Sequence, residues 1–238
     1  MKRLVNLLNG SKWNVLGLLL TIGVFSACKK DSNKDLPRIP SAGIMAFNLA
    51  VDKPAAGFSL SGNQLGNSPL NYTGYTGNYL PIFVGDREVR SVDYTNGSTI
   101  AISNQNFKDS SFYSAFILGA NGSYRNLVVQ DKYDLVQPAA GKAWVRYINA
   151  IPDSTVSPNV LMGETTETAA FGNISDFKQV NSGALNVSVS SGSAINKSRT
   201  INVDENKIYT ILLVGLPNQT DTTKSVDIRY VLNGNAAE

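Results

Sequence analysis

The chain has 238 residues, with 21 Lys and Arg against 18 Asp and Glu, one cysteine and no histidine. The missing histidine excludes Ser-His-Asp and Cys-His catalysis and nearly all zinc enzymes. A single cysteine excludes an internal disulfide, so the fold must stand on its packing.

The chain opens with Lys2, Arg3 and Lys12, an apolar run of eleven residues from Val15 to Phe25, and Ser26-Ala27-Cys28. A positive start, a hydrophobic middle and small residues before a cut are the layout of a secretory signal. A membrane-spanning helix needs about 20 apolar residues; this run is shorter and is interrupted by Gly17 and Gly23. Phe25-Ser26-Ala27-Cys28 resembles the bacterial lipobox, with Phe25 where Leu is usual. The resemblance implies a signal peptide over 1–27, cleavage between Ala27 and Cys28, and a lipid on the Cys28 sulfur. At about 0.8 kcal/mol per buried methylene, two or three acyl chains hold a protein stably on a membrane. Removing 1–27 leaves 18 basic against 18 acidic side chains, so no nucleic-acid partner is expected. Residues 28–40 read as a lipidated cysteine and flexible tether, since KKDSNKDLPRIP is polar and closed by two prolines. Its start resembles the polar stretch that follows the anchor in lipoproteins of the Bacteroides group. Lys29 in place of Asp argues against retention at the inner membrane. The expected location is the outer membrane, lipid-anchored, at the cell surface or the periplasmic face.

From Gly43 onward the pattern is β. Turn signals stand at Asn96-Gly97, Asn121-Gly122, Ser182-Gly183 and Asn233-Gly234. Residues 184–190 alternate strictly, with Leu185, Val187 and Val189 on one face. Residues 208–214 are a continuous apolar run, predicting a central strand covered on both faces. Residues 226–232 alternate, with Val226, Ile228, Tyr230 and Leu232 on one face. No long amphipathic helix is present. The chain also repeats. Phe112 to Gly119 matches Ile208 to Gly215 at an offset of 96; Tyr79 and Gly85 match Phe177 and Gly183 at 98; Phe47, Ala50 and Val51 match Tyr147, Ala150 and Ile151 at 100. Each copy is long enough for a seven-strand sandwich. The expected architecture is all-β, with two tandem immunoglobulin-like antiparallel β-sandwich domains over 41–136 and 141–238, after the signal peptide and tether.

Val145 to Ser154, Ala170 to Phe177, Ser182-Gly183 and Ile208-Tyr209-Thr210 with Gly215 resemble the family called domain of unknown function 4397. The first copy resembles it more distantly, through Phe47, Ala50, Tyr79, Gly85 and the strand of Tyr113. The family usually has His where Asn149 stands. The resemblance implies β-sandwich modules of exported and surface proteins, and no activity.

Candidate chemistry is sparse. Ser175 to Lys178 fits the S-x-x-K pattern of penicillin-recognising enzymes, but no S-D-N or K-T-G partner occurs and that motif belongs on a helix. Glu164 and Glu167 lie in a Thr-rich segment that reads as a solvated loop, and no acidic stretch has the spacing of a calcium loop. No catalytic residue, metal or cofactor is expected. Gly62, Gly66, Gly74 and Gly77 run among Tyr72, Tyr75 and Tyr79, and rings on such a loop could stack on sugars; Tyr72 and Tyr75 are the candidate ligand-binding residues. Asp153-Ser154-Thr155 and Asp221-Thr222-Thr223 resemble acceptor sites for O-glycans at Ser154 and Thr222. The expected function is a non-enzymatic binding or spacer module, anchored to the membrane through Cys28, with a glycan or protein partner. The alternatives are a carbohydrate-binding accessory lipoprotein of a nutrient-uptake system and a surface adhesion or structural component.

Overall fold

The computed structural model describes residues 38–152 and 157–236. Cys28, Ala27 and most of the expected tether lie outside them, as does Ser154. The sixteen strands among the described residues divide evenly. Strands β1 (Ser41–Ala50), β2 (Ala56–Leu60), β3 (Asn63–Leu70), β4 (Leu80–Phe83), β5 (Gly85–Asp93), β6 (Thr99–Phe107), β7 (Phe112–Ala120) and β8 (Ser123–Asp131) form the first sandwich. A 3₁₀ turn over Tyr133–Leu135 follows. Strands β9 (Lys142–Asn149), β10 (Asn159–Met162), β11 (Thr165–Thr168), β12 (Lys178–Asn181), β13 (Gly183–Ser191), β14 (Ile195–Val203), β15 (Lys207–Val214) and β16 (Asp227–Asn235) form the second.

The sheets are ordered β4-β1-β7-β8 and β3-β2-β5-β6 in the first sandwich, and β12-β9-β15-β16 and β11-β10-β13-β14 in the second. The order is the same once the strand numbers are shifted by eight. Each sandwich therefore has eight strands rather than seven. Nor is either wholly antiparallel: β1 runs parallel to β7, and β9 parallel to β15. The chain must cross from one sheet to the other between these strands, which a parallel pair requires and a hairpin cannot supply.

Each sandwich has its own apolar interior. Ile44, Phe58, Val89, Phe107, Tyr113 and Ile117 fill the first; Val145, Val160, Val187, Ile201, Ile211 and Leu213 fill the second. Strand β13 buries Leu185, Val187 and Val189 as its alternation predicts. Strand β15 is buried at every position from Ile208 to Val214, and its second cover is the other sandwich. Met45, Phe47, Leu49, Phe116 and Leu118 from β1 and β7 meet Ile148, Leu212, Val214 and Val231 from β9, β15 and β16 in a third apolar cluster. The four sheets thus stack in sequence, with the β4-β1-β7-β8 and β12-β9-β15-β16 sheets in the middle.

The repeat is visible atom by atom. The Tyr113 hydroxyl accepts from the Lys108 N–H at 2.9 Å, and the Tyr209 hydroxyl accepts from the Asp204 N–H at 3.1 Å. Gly119 and Gly215 have φ of +122° and +99°, and a Cβ would meet the Ser123 and Ser225 carbonyl oxygens at 2.0 and 2.2 Å. Only glycine fits both positions. In the first strand of each copy the offset is 101, not 100. Ile44 lies opposite Tyr113 and Val145 opposite Tyr209, which aligns Asn48 with Asn149. The one-residue error matters because it exchanges the two faces of a strand: Phe47 faces the other sandwich, whereas Tyr147 lies in its own sandwich's interior.

Three local expectations change. The Asn233-Gly234 pair lies inside β16, at a break in register opposite Ile208/Tyr209, so it is a bulge rather than a turn. Along 226–232 the predicted inner face is covered only at Val226, just before β16, and at Ile228; Tyr230 and Leu232 are exposed, and the opposite face of β16 buries Val231 and Asn233. Residues 165–168 form the edge strand β11, paired antiparallel with β10, rather than a loop.

Candidate functional site

The feature with the most unusual chemistry is the seam between the sandwiches. It is apolar at its centre because alternate residues of four central strands point away from their own interiors. At one end it is polar. Ser114 and Thr210 occupy the same place in β7 and β15, each a hydroxyl in an otherwise apolar strand. Around them sit Arg146 of β9 and Asp131 at the end of β8, whose side chains are 4% and 0% exposed.

Every donor group of Arg146 has a partner. Nη1 donates to Asp131 Oδ1 at 2.5 Å, Nη2 to Ser114 Oγ at 2.8 Å and Nε to Thr210 Oγ1 at 3.0 Å. Its guanidinium lies 4.4 Å from the Phe177 ring centroid. Asp131 Oδ2 accepts from Ser114 Oγ at 2.8 Å and from the Tyr79 hydroxyl at 2.5 Å, and Tyr79 shares a 2.5 Å hydrogen bond with the Tyr133 hydroxyl. Burial, followed by the negative charge of Asp131, pushes both phenols well above the ordinary tyrosine value. They stay neutral and act as hydrogen-bonding groups. With every polar atom engaged, the cluster is a lock: a charged pair is tolerated in a dry environment when its remaining donors and acceptors are met. A cleft of about 380 Å³ opens beside it, lined by Val129, Gln130, Lys132, Arg146, Ile174 and Phe177 among others.

The glycine- and tyrosine-rich loop also belongs to the seam. Tyr72, Tyr75 and Tyr79 pack against its apolar cluster, half-buried. Tyr75 stacks on Phe47, with ring centroids 5.5 Å apart and planes 12° apart. The Tyr72 hydroxyl is buried without a hydrogen-bond partner, and burial pushes its pKa up to about 12. A second cleft, of about 370 Å³, is lined by Val51, Asp52, Pro54, Tyr72, Thr223 and Lys224.

The remaining candidate residues are placed as follows. The Ser175 hydroxyl accepts from the Tyr147 N–H and donates to the Asp176 carbonyl, while Lys178 is paired with Glu167. Lys178, followed by the Tyr147 hydroxyl, holds the Glu167 carboxyl below its usual value. Glu164 is exposed in the turn between β10 and β11. Thr222 is exposed in a turn closed by the Asp221 carboxylate, which accepts from the Thr223 N–H and hydroxyl. Among the described residues no group of three or more Asp, Glu, His or Cys could hold a metal, and no helix is long and apolar enough to cross a membrane.

Sequence reasoning missed Asp131 and Arg146. Their one advance signal is Arg146 in the middle of an apolar strand, Ala143 to Ile148, together with a hydroxyl at the same place in both copies of the repeat, Ser114 and Thr210. A search of curated proteins found no match to the chain. A family model, Domain of unknown function (DUF4397), matches residues 42–160 and again residues 143–237.

Proposed function

The chain belongs to the DUF4397 family, as two copies of its domain, and on that premise we propose that it is a lipid-anchored, non-enzymatic spacer or binding module of a bacterial outer membrane. The observation that carries this reading is the seam. Two β-sandwiches, each with a tyrosine hydroxyl bonded to the backbone five residues upstream, are joined through a shared apolar cluster and a buried ion pair. A module joined in this way carries a binding surface at a fixed distance from its anchor. The anchor in this reading is the acylated Cys28, supported by the order of charge, apolar run and Ser26-Ala27-Cys28. The seam's most charged residues are used to hold the halves together, which suits a scaffold better than a catalyst.

The test is Cys28→Ser expressed in a lipoprotein-processing bacterium. The wild type is expected to fractionate with outer membranes and incorporate labelled fatty acid, and the variant to do neither. A variant that keeps both would overturn the anchor.

The Tyr72 cleft favours a second reading, a carbohydrate-binding accessory module. It brings an aromatic ring beside a carboxylate, a threonine hydroxyl and an ammonium, groups that suit a hydroxyl-rich ligand. Loss of glycan-array binding in Lys224→Ala, an exposed residue of the cleft, at unchanged thermal stability supports it; a wild type that binds no glycan removes it.

A further inference from the structure

The seam has the contact pattern of a twofold dimer. Met45 and Arg146 hold the same register position in β1 and β9, opposite Ser114 and Thr210. Asp131 and Asn233 each stand two residues beyond Val129 and Val231, which pair with those same two residues. Arg146 reaches across to Asp131, and Asn233 Nδ2 lies 3.9 Å from Met45 Sδ. Position i of one copy therefore meets position j of the other, and j meets i, as in an isologous interface. At the rims the contacts lie in corresponding regions without being equivalent: Arg229 Nη1 of β16 donates to Thr73 Oγ1 and Arg125 Nη2 of β8 to the Phe171 carbonyl, while the register sets Arg229 in the place of Leu127 and Arg125 in that of Asp227. Thr73 and Gly172, next to Phe171, hold equivalent left-handed positions with φ of +64° and +77°.

We infer that the two sandwiches form an internal dimer, and that the distribution of Met45, Asp131, Arg146 and Asn233 selects the pairing of unlike halves. Pairing two first sandwiches would set each buried Asp131 against Met45, with no cation. Pairing two second sandwiches would set each Arg146 against Asn233, with no anion. Only the unlike pair compensates the buried charge, at the end of the seam where Ser114, Tyr79 and Thr210 complete the hydrogen bonds; the Lys132–Asp176 pair that also joins the halves is exposed and contributes little. The apolar seam contacts, such as Phe47 and Phe116 against Ile148 and Leu212, do not discriminate, and the polar rim contacts are exposed. The partner that fits each face is thus the other half of this chain, and the polar end is what excludes a second copy of the same half.

The experiment uses the folded chain with a protease site inserted between Pro138 and Ala139. The chain is cut, the halves are exchanged in mild denaturant and returned to buffer, and the pairs are read by native mass spectrometry. With the natural residues, only one-to-one pairs of unlike halves are expected. In Met45→Arg with Asn233→Asp each half carries both charges, so like pairs become compensated; these should rise to a statistical share, about half of all pairs. In Asp131→Asn with Arg146→Met neither half carries a charge, and like pairs should again appear. Like pairs in the natural protein, halves that separate altogether at tens of micromolar, or unlike pairs alone in both variants would each overturn the inference.

Discussion

The two facing sheets at the seam share one backbone plan and differ where they touch. Asn48 and Asn149 make equivalent bonds: the Ala50 N–H donates to Asn48 Oδ1 and the Ile151 N–H to Asn149 Oδ1, while the side-chain amides donate to the Leu70 and Ala169 carbonyls. Backbone bonds from Asn48 N to Gly74 O and from Asn149 N to Asn173 O complete the likeness. These residues serve the strand and its loop within one sandwich, so the duplication keeps them. Met45 and Arg146, or Asp131 and Asn233, serve the neighbouring sandwich, and there the copies have diverged in a complementary way. Residues that a fold needs repeat; residues that a partner needs do not have to.

The largest test of this contrast is Arg146→Met, which gives the second sandwich the residue found in the first. It leaves Asp131 buried without a cation and is expected to cost about 3–5 kcal/mol in urea unfolding. Adding Asp131→Asn should recover most of that loss, because the cluster, in which Thr210 Oγ1 bonds both Arg146 and Asn233 Oδ1, then holds Met and Asn from each half and no charge. If the double variant is no more stable than the single, the charge pair is not what distinguishes the two halves. A smaller effect is expected within the sandwiches. Asn48→Ala and Asn149→Ala each strand buried backbone groups, at about 1–3 kcal/mol apiece. Asn48 should cost more, since its amide also donates to the Lys53 carbonyl at 2.7 Å. Equal losses in denaturant titration would show that the extra bond carries no weight.

Much of the plan was legible because strands report how many of their faces are covered. The strict alternation of 184–190 gave a half-buried strand, and the unbroken run of 208–214 gave one covered twice. What covers it the second time was not legible, since a one-dimensional pattern does not name its partner. The reading of 226–232 went wrong for the same reason: β16 is an edge strand whose inner cover ends early and whose outer face is covered by the seam. Asn233-Gly234 resembles a hairpin turn, yet a glycine tolerates a bulge equally well. The tyrosines of 72–79 carry the same ambiguity, because aromatic rings among glycines suit a ligand or a packed loop. Asp131 and Arg146 are only fifteen positions apart, but they belong to different sandwiches, and their pairing depends on how two complete folds dock.

The smallest expected effect isolates a buried carboxylate whose partners all lie in one sandwich. Asp93 Oδ1 accepts from the Thr95 N–H and hydroxyl at 2.9 and 2.6 Å, and Oδ2 from Lys53 Nζ at 3.0 Å. The Thr95 donors, then Lys53, hold its carboxyl below the usual aspartate value. A group whose pKa is lowered by folding adds stability that is complete above its unfolded value, near 4, and is lost as the pH falls through its folded value. The natural protein should therefore lose thermal stability between pH 5 and pH 3 more steeply than Asp93→Asn, whose deficit is constant above pH 5 and shrinks on acidification. Because Thr95 and Lys53 come from the first sandwich alone, this difference should persist unchanged in Arg146→Met with Asp131→Asn. If the seam variant altered the Asp93 slope, the two regions would be coupled, and the division between residues serving a sandwich and residues serving its partner would fail.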